Sequence, residues 1–183
     1  SVPGKYISSS DDFIKYRKPF LKANGALFKK YRTHLQKLAN GRPIIGISWK
    51  GGYWQIQRKT KELELENWKP IFKKNALFVN LQYGDISKDV EYMKKNGMEV
   101  VDFNKVDYKE DLDDWVAIAA ACDGIISIST ALVHFAGAIG QKVALIMPSK
   151  QGPWILGLND KRSIAYKNLR IYRKEMDEDR IIH

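Results

Sequence analysis

The sequence predicts an α/β fold built on a doubly wound parallel sheet of about six strands, entered by an N-terminal helical linker. Short apolar runs alternate with segments of helical periodicity along most of the 183 residues. This is the pattern of parallel strands joined by crossover helices. The apolar runs are nearly continuous, as expected for strands buried on both faces of a sheet. Glycine, asparagine and proline fall where elements would end. We therefore expect a Rossmann-like domain.

The predicted strands occupy residues 44–49, 76–81, 98–103, 124–127, 143–147 and 169–173. The predicted helices occupy residues 11–18, 25–38, 64–74, 86–96, 111–121 and a stretch between 130 and 140. The helix over 25–38 illustrates the reasoning, because Asn24 can cap it and Asn40-Gly41 can end it. Five of its apolar side chains fall on one face: Leu27, Phe28, Tyr31, Leu35 and Leu38.

These elements divide the chain into a linker and helix over residues 1–42, a Rossmann-like domain over 43–173 and a C-terminal tail over 174–183. The sequence begins without a methionine, so we expect a piece of a longer protein.

The sequence contains no apolar run long enough to span a bilayer and no signal-peptide pattern. A single cysteine, Cys122, excludes an intramolecular disulfide and fits a cytoplasmic location. Its place at a helix-to-strand junction predicts buried packing, and zinc-ligand spacing is absent.

The net charge of +10 has two interpretations. It could reflect an anionic partner such as nucleic acid, a membrane surface or a phosphorylated ligand. It could also reflect a solvated, lysine-rich surface. The lysines are spread along the whole chain without a block of five basic residues, which favours the second interpretation.

Residues 122–148 read as strand, turn, helix and strand. The hydroxyl residues Ser127, Ser129 and Thr130 fall where the first strand ends and the helix begins. Ligands of open α/β sheets bind at the carboxyl ends of the strands, against helix N-termini. A helix N-terminus offers unpaired N–H groups and a positive dipole end. The sequence therefore predicts an anion, in particular a diphosphate, at Ser129–Thr130.

A second informative loop, residues 50–59, follows the strand predicted at 44–49. Gly51 and Gly52 would let the backbone approach a ligand, and Lys50, Arg58 and Lys59 could neutralise phosphate oxygens. An ordinary βα loop with exposed cations remains an equal alternative. The loop has neither the phosphate-binding GxxxxGK[ST] pattern nor the dinucleotide-binding GxGxxG pattern. Residues 82–85 follow the next strand, so all three loops would share one edge of a parallel sheet.

Three segments, taken in order, resemble heptosyltransferase-like glycosyltransferases of family 9 and, more closely, their bacterial relatives fused to tetratricopeptide repeats. The segments are IGISWKGG at 45–52, FVNLQYGD at 78–85, and 111–140, which opens on DLDD and closes on HFAGAIG. Residues 19–24, PFLKAN, are similar to the linker phrase that enters the C-terminal domain of these proteins. The resemblance extends over roughly residues 19–173 and depends on the ordered set.

The resemblance implies a GT-B architecture, in which the donor lies in a cleft between two Rossmann-like domains. This chain would be the C-terminal, donor-binding domain, joined to an N-terminal Rossmann-like or tetratricopeptide domain. Its substrate would be a nucleotide-diphosphate sugar, with no cofactor and no essential metal.

Carried over to this sequence, the resemblance implies three groups of site residues. Lys50 and Arg58 would contact the diphosphate, together with the backbone of Ser129, Thr130 and Ala131. The base or ribose would lie near four residues: Gln82, Tyr83, Asp111 and Leu112. His134 falls on the first turns of the helix, where the family also has histidine, although a packed or capping histidine is the alternative.

One departure concerns Ser129, because the family usually has aspartate at that position. The general base of this architecture normally comes from the N-terminal domain, so no catalytic residue is predicted here.

Three functions follow: the donor-binding half of a glycosyltransferase, an inactive nucleotide-binding or protein-interaction module derived from that fold, and a basic nucleic-acid-binding protein. Aromatic residues at core spacing and the lack of a nucleic-acid-binding motif argue against the third.

Overall fold

The computed structural model describes residues 12, 14, 15, 17–51, 64–147, 156 and 161–173. Its strands are β1 (Ile44–Ser48), β2 (Leu77–Asn80), β3 (Gly124–Ile128), β4 (Val143–Met147) and β5 (Leu169–Arg173). Its helices are α1 (Gly25–Ala39), α2 (Lys69–Phe72), α3 (Ser87–Lys95), α4 (Leu112–Ala121) and α5 (Ala131–Ala138), with a 3₁₀ turn at Leu65–Trp68 before α2. The predicted α/β class is confirmed. Of the helix predicted at 11–18, Asp12, Ile14 and Lys15 are helical, Arg17 and Lys18 are not, and residues 11, 13 and 16 lie outside the described residues.

The strands form one parallel sheet in the order β2-β1-β3-β4-β5. Within the described residues the sheet therefore has five strands, whereas the sequence predicted about six. The segment predicted as a strand at 98–103 pairs with β2 only at Val101, which bridges Val79. The Val101 N–H donates to the carbonyl of Phe78 and the Val101 carbonyl accepts from Asn80, both at 2.8 Å. The next residue, Asp102, instead accepts a hydrogen bond from the Asn80 side chain at 2.8 Å.

The connections wind in opposite directions from the centre of the sheet. Chain order runs outward from β1 to β2 and Val101 on one side, and from β3 to β5 on the other. The strand order thus reverses between β1 and β3, which is the switch point where open α/β sheets bind ligands.

Each face of the sheet has its own apolar layer. One layer packs α1, α4 and α5 against strand residues such as Val79, Ile125 and Leu145. The other packs Trp68 of the 3₁₀ turn and Met93 of α3 against alternate strand residues. Side chains alternate between the faces of a strand, so both layers draw on the same apolar runs.

The buried face of α1 is narrower than the sequence predicted. The helix begins as expected, since the side-chain oxygen of Asn24 accepts from the N–H groups of Ala26 and Leu27 at 3.0 and 3.2 Å. Its buried residues are Tyr31, Leu35 and Ala39. By contrast, two residues predicted on the apolar face are exposed: Phe28 by 38% and Leu38 by 43%. The reason is that α1 packs chiefly on α4, which covers only a strip of its surface.

The helix predicted over 64–74 is broken in two. A 3₁₀ turn at Leu65–Trp68 precedes a single helical turn at Lys69–Phe72, and Pro70 stands at the start of the latter. Proline has no N–H and its ring clashes with the carbonyl four residues earlier, so Pro70 destabilises a continuous α-helix over 64–74. Apolar periodicity alone was therefore a poor guide here.

Candidate functional site

The ends of β1, β2 and β3 place three loops side by side. Ile47 pairs with Asn80 of β2, and Ser48 pairs with Ser127 of β3. The chain leaves the sheet just after each of these residues, so residues 49–51, 81–86 and 129–131 begin at the same edge and next to the switch point.

Gln82 organises the first two of these loops. Its side chain is buried, and its carbonyl oxygen Oε1 accepts three hydrogen bonds: from the Ser48 hydroxyl at 2.9 Å, the Trp49 N–H at 3.0 Å and the Lys50 N–H at 3.0 Å. Its amide Nε2 donates to the carbonyl of Tyr83 at 3.2 Å. Gln82 thus ties the end of β1 to the end of β2.

Lys50 is held in place by the start of α3. Its ammonium nitrogen Nζ lies 2.6 Å from Asp89 Oδ2 and 2.7 Å from the backbone carbonyl of Asp85. The Trp49 indole donates to the same Asp89 oxygen at 3.1 Å. The N–H and hydroxyl of Ser87 both donate to Asp85 and hold the pKa of that carboxyl below its ordinary value. The cation is therefore positioned at the edge, but part of its charge is balanced.

The N-terminus of α5 lies at the end of β3. Thr130 occupies the cap position with extended backbone, and its side chain makes no capping hydrogen bond. Its hydroxyl is instead 3.4 Å from the hydroxyl of Ser127, which in turn donates to the Ile128 carbonyl at 2.7 Å. Thr130 is buried, while Ser129 is half-buried and Ala131 is exposed. The first N–H groups of α5 are thus not capped by Thr130.

His134 lies one turn into α5. Its Nδ1 is 3.0 Å from the hydroxyl of Tyr166, and the two rings meet edge to face with centroids 5.8 Å apart. Burial lowers the pKa of His134, so the neutral imidazole is favoured at neutral pH.

Trp115 of α4 joins the remaining predicted residues to this edge. Its indole donates to the carbonyl of Leu81 at 3.0 Å, directly after β2. Its ring meets Tyr83 at a centroid distance of 6.1 Å and Phe135 of α5 at 5.6 Å. Tyr83 and the start of α4 therefore lie beside α5.

Asp111 and Leu112 form the start of α4. Asp111 occupies the cap position without capping the helix, and its carboxylate accepts from the N–H of Asp107 at 3.0 Å. Leu112 is 43% exposed.

The structure brings together most of the predicted site residues at one edge, but two fall outside its description. Gly51 follows Lys50 and is half-buried. Gly52 and Arg58 lie outside the described residues. Among all the residues that the structure describes, no three His, Cys, Asp or Glu side chains lie close enough together to hold a metal ion.

Sequence reasoning missed Asp89, Trp115 and Tyr166. An acid at the third position of a helix indicates only dipole stabilisation, and a tryptophan at helical spacing indicates only a core position. Tyr166 follows a segment without periodicity, so nothing in the sequence linked it to His134. These contacts join residues 20 to 40 positions apart and depend on tertiary packing.

Comparison with solved structures supports the fold. The chain superposes on ADP-heptose LPS heptosyltransferase II of E. coli with a TM-score of 0.57 and 17% identity, over 87% of this chain and 46% of that one. A family 9 glycosyl transferase of Veillonella parvula gives a TM-score of 0.48 and 13% identity, over 79% of this chain and 40% of that one. The first likeness shows that this chain has a heptosyltransferase-like fold, as the resemblance predicted.

Comparison with curated sequences also gives a match. The chain is 33% identical to Protein FlbA of Caulobacter vibrioides over 132 residues, which is 71% of this chain and 22% of FlbA. No family model matches. The chain therefore spans about a fifth of this relative and under half of the heptosyltransferase. None of the described helices has the length and apolar character needed to cross a membrane.

Proposed function

We propose that the chain is the donor-binding domain of a glycosyltransferase that takes a sugar from a nucleotide-diphosphate sugar. The observation that carries the proposal is the start of α5, where Thr130 leaves the first N–H groups without a side-chain cap at the switch point of the sheet. Such N–H groups and the helix dipole suit the oxygens of a diphosphate. The fold likeness to an ADP-heptose heptosyltransferase supports the same assignment.

Lys50 would supply the positive charge opposite α5. An ammonium group has three N–H donors. Asp89 and the Asp85 carbonyl engage two of them, so one is left for a phosphate oxygen. Because Asp89 also accepts from the Trp49 indole, the carboxylate is held in place and fixes the lysine. The ion pair with Asp89 thus fixes the position of the Lys50 ammonium and balances part of its positive charge.

The base and ribose would lie against Tyr83 and the start of α4. Leu112 offers exposed apolar surface there, and Asp111 offers an exposed carboxylate that could accept from a ribose hydroxyl. Gln82 would lie beside them, as the resemblance implies. Its carbonyl oxygen is engaged by three donors, so it shapes the loops that hold the ligand.

The acceptor side of the cleft would come from another domain. The chain spans 46% of the heptosyltransferase it superposes on, and the GT-B architecture needs a second Rossmann-like half. We propose that this half, or a tetratricopeptide region, adjoins the chain in a bacterial protein of the cytoplasm, where the buried free thiol of Cys122 would stay reduced.

A second candidate is a module that binds a nucleotide without turnover. Ser129 favours it, since a neutral hydroxyl stands where an acid is expected from the resemblance, next to the diphosphate position. Sugar transfer by the full-length protein would decide between the candidates, whereas nucleotide binding is common to both.

The binding claim can be tested by removing one N–H group. Ala131 is the first residue of α5, a position where proline is well tolerated, and Thr130 before it is already extended. The variant Ala131→Pro removes the Ala131 N–H and should weaken ADP, UDP or GDP binding at least about tenfold in calorimetry, since a hydrogen bond to a charged group contributes about 1.5–3 kcal/mol.

The matched control is Gly25→Pro. It places proline at the same position of α1, after Asn24, whose backbone (φ −58°, ψ 121°) is likewise outside the helical region. This variant should bind nucleotide like the wild type. Equal binding by Ala131→Pro and the wild type, or no binding of any nucleoside diphosphate by the wild type, would contradict the proposal.

A further inference from the structure

We infer that Tyr166 is a positioning residue for the candidate site, which holds the His134 imidazole as the tautomer with its proton on Nε2. Resting on the proposed function, the inference gives the histidine a defined role: its Nε2–H is the donor to an anionic oxygen of the ligand. Tyr166 would act only through His134.

The first support is the contact itself. The Tyr166 hydroxyl lies 3.0 Å from His134 Nδ1, which is ordinary hydrogen-bond distance. Nε2 makes no hydrogen bond to another described residue. One ring nitrogen is thus engaged within the fold, and the other is left for a ligand at the start of α5.

The direction of this hydrogen bond follows from the chemistry of the two groups. A phenol is a good donor and a neutral imidazole nitrogen is a good acceptor, whereas phenol oxygen is a weak acceptor. Burial favours the neutral form of both groups, since it lowers the pKa of His134 and raises the pKa of Tyr166. With the phenol donating to Nδ1, the imidazole proton must reside on Nε2.

The second support is the seat of the tyrosine ring on α5. A Cβ atom added at Gly137 would lie 2.3 Å from Tyr166 Cγ, so the ring rests directly on the glycine backbone. Gly137 is three residues after His134 and therefore on the same side of the helix. The absence of a side chain at 137 lets the ring approach closely enough for its hydroxyl to reach the histidine.

The third support is the loop that carries Tyr166. The buried Ser163 hydroxyl accepts from the N–H groups of Ala165 and Tyr166, both at 3.2 Å. The Arg17 guanidinium donates to the Ser163 carbonyl at 3.1 Å, and the Tyr166 carbonyl accepts from the Leu169 N–H at 3.3 Å. The tyrosine backbone is thus fixed on both sides, as a positioning role requires.

The test is the tautomer of His134, observed by long-range ¹H–¹⁵N correlation on protein labelled at histidine. In the wild type we expect a single Nε2–H pattern for His134, and in Tyr166→Phe a mixture of both tautomers. ADP affinity should fall about fivefold in Tyr166→Phe, the effect of one hydrogen bond. The matched control is Tyr172→Phe, because Tyr172 is half-exposed on β5 and should leave both readouts unchanged.

Two results would overturn the positioning role: an Nδ1–H or mixed pattern in the wild type, or an unchanged pattern in Tyr166→Phe. Unchanged ADP affinity with an altered tautomer would overturn the link to the ligand. If the wild type binds no nucleoside diphosphate, the proposed function fails and that link fails with it. If the same protein shows an Nε2–H pattern that is lost in Tyr166→Phe, the result would still support the role of Tyr166 in fixing the His134 tautomer.

Discussion

At the scale of single residues, the edge of the sheet is shaped by buried polar side chains. Gln82 was predicted from the resemblance to lie near a base or ribose, and it does lie at the predicted edge. What the sequence could not reveal is that its oxygen is saturated by three donors from the end of β1. The sequence pattern of a glutamine after a strand does not distinguish a side chain that binds a ligand from one that binds the protein backbone. The difference depends on contacts between segments more than 30 residues apart.

Removal of the Gln82 side chain should therefore destabilise the fold and not only a binding site. In Gln82→Ala, the buried N–H of Trp49 and hydroxyl of Ser48 lose their acceptor. The expected loss in the free energy of unfolding is about 2–4 kcal/mol, measured by urea denaturation. Gln36→Ala on the exposed side of α1 is the control and should change it by less than about 0.5 kcal/mol. A loss for Gln82→Ala no larger than that of the control would contradict this reading.

At the scale of elements, periodicity predicted which segments are helices and strands better than how they pack. The strands over 44–48 and 143–147 were predictable because continuous apolar runs have few other uses in a chain of this type. The break at Pro70 could have been read from the sequence, whereas the narrow buried strip of α1 could not, since it depends on where α4 crosses. The close contact between α5 and Tyr166 at Gly137 could not be predicted from the sequence either, because it depends on tertiary packing.

The packing of α5 on Tyr166 predicts the effect of a single methyl group. Gly137→Ala would place Cβ 2.3 Å from the ring and force Tyr166 away, although alanine favours a helix. We expect a loss of about 1–3 kcal/mol in the free energy of unfolding, as for other overpacked sites.

Gly25→Ala, at the open start of α1, is the matched control, because nothing lies within 4 Å of an added Cβ there. It should leave stability unchanged or slightly raised. If Gly137→Ala is as stable as Gly25→Ala, the Tyr166 ring does not pack directly on Gly137 of α5.

At the scale of the whole molecule, the sheet order brings the functional loops together. Alternation of strands and helices predicted the class and the shared edge, because carboxyl ends of parallel strands meet on one side. It overestimated the pairing of residues 98–103, since the single bridge at Val101 depends on how Asp102 turns toward Asn80. The resemblance added the sugar donor that would carry the predicted diphosphate, which no composition or spacing argument could supply.

The core between α4 and β2 predicts a dependence of global stability on alkaline pH. Tyr108 is buried, stacks on Trp115 and donates to the Asn80 carbonyl at 2.9 Å. Burial, reinforced by the charge of Asp102, raises the pKa of Tyr108 well above its ordinary value. A group whose pKa is raised by folding stabilises the fold below its unfolded pKa of about 10, and that stability is lost as the pH rises further.

The free energy of unfolding should thus fall above a pH of about 10, with Tyr108 adding about 1.4 kcal/mol per pH unit to the slope. Tyr108→Phe lacks the ionisable group, so its slope should be shallower by that amount. Urea denaturation over pH values from about 9 to about 11 compares the two slopes. Parallel slopes would show that the Tyr108 phenol ionises equally in the folded and unfolded chain.

The proposed site for a nucleoside diphosphate is the start of α5, between the ends of β1 and β3. The most direct measurement is a titration of uniformly ¹⁵N-labelled protein with ADP, UDP and GDP, followed through the backbone amides. We expect saturable shifts for at least one nucleotide, largest at Lys50, Gly51 and residues 130–132. Saturable shifts confined to the opposite edge, around Lys142 and Asn168, would contradict it, as would the absence of any saturable shift.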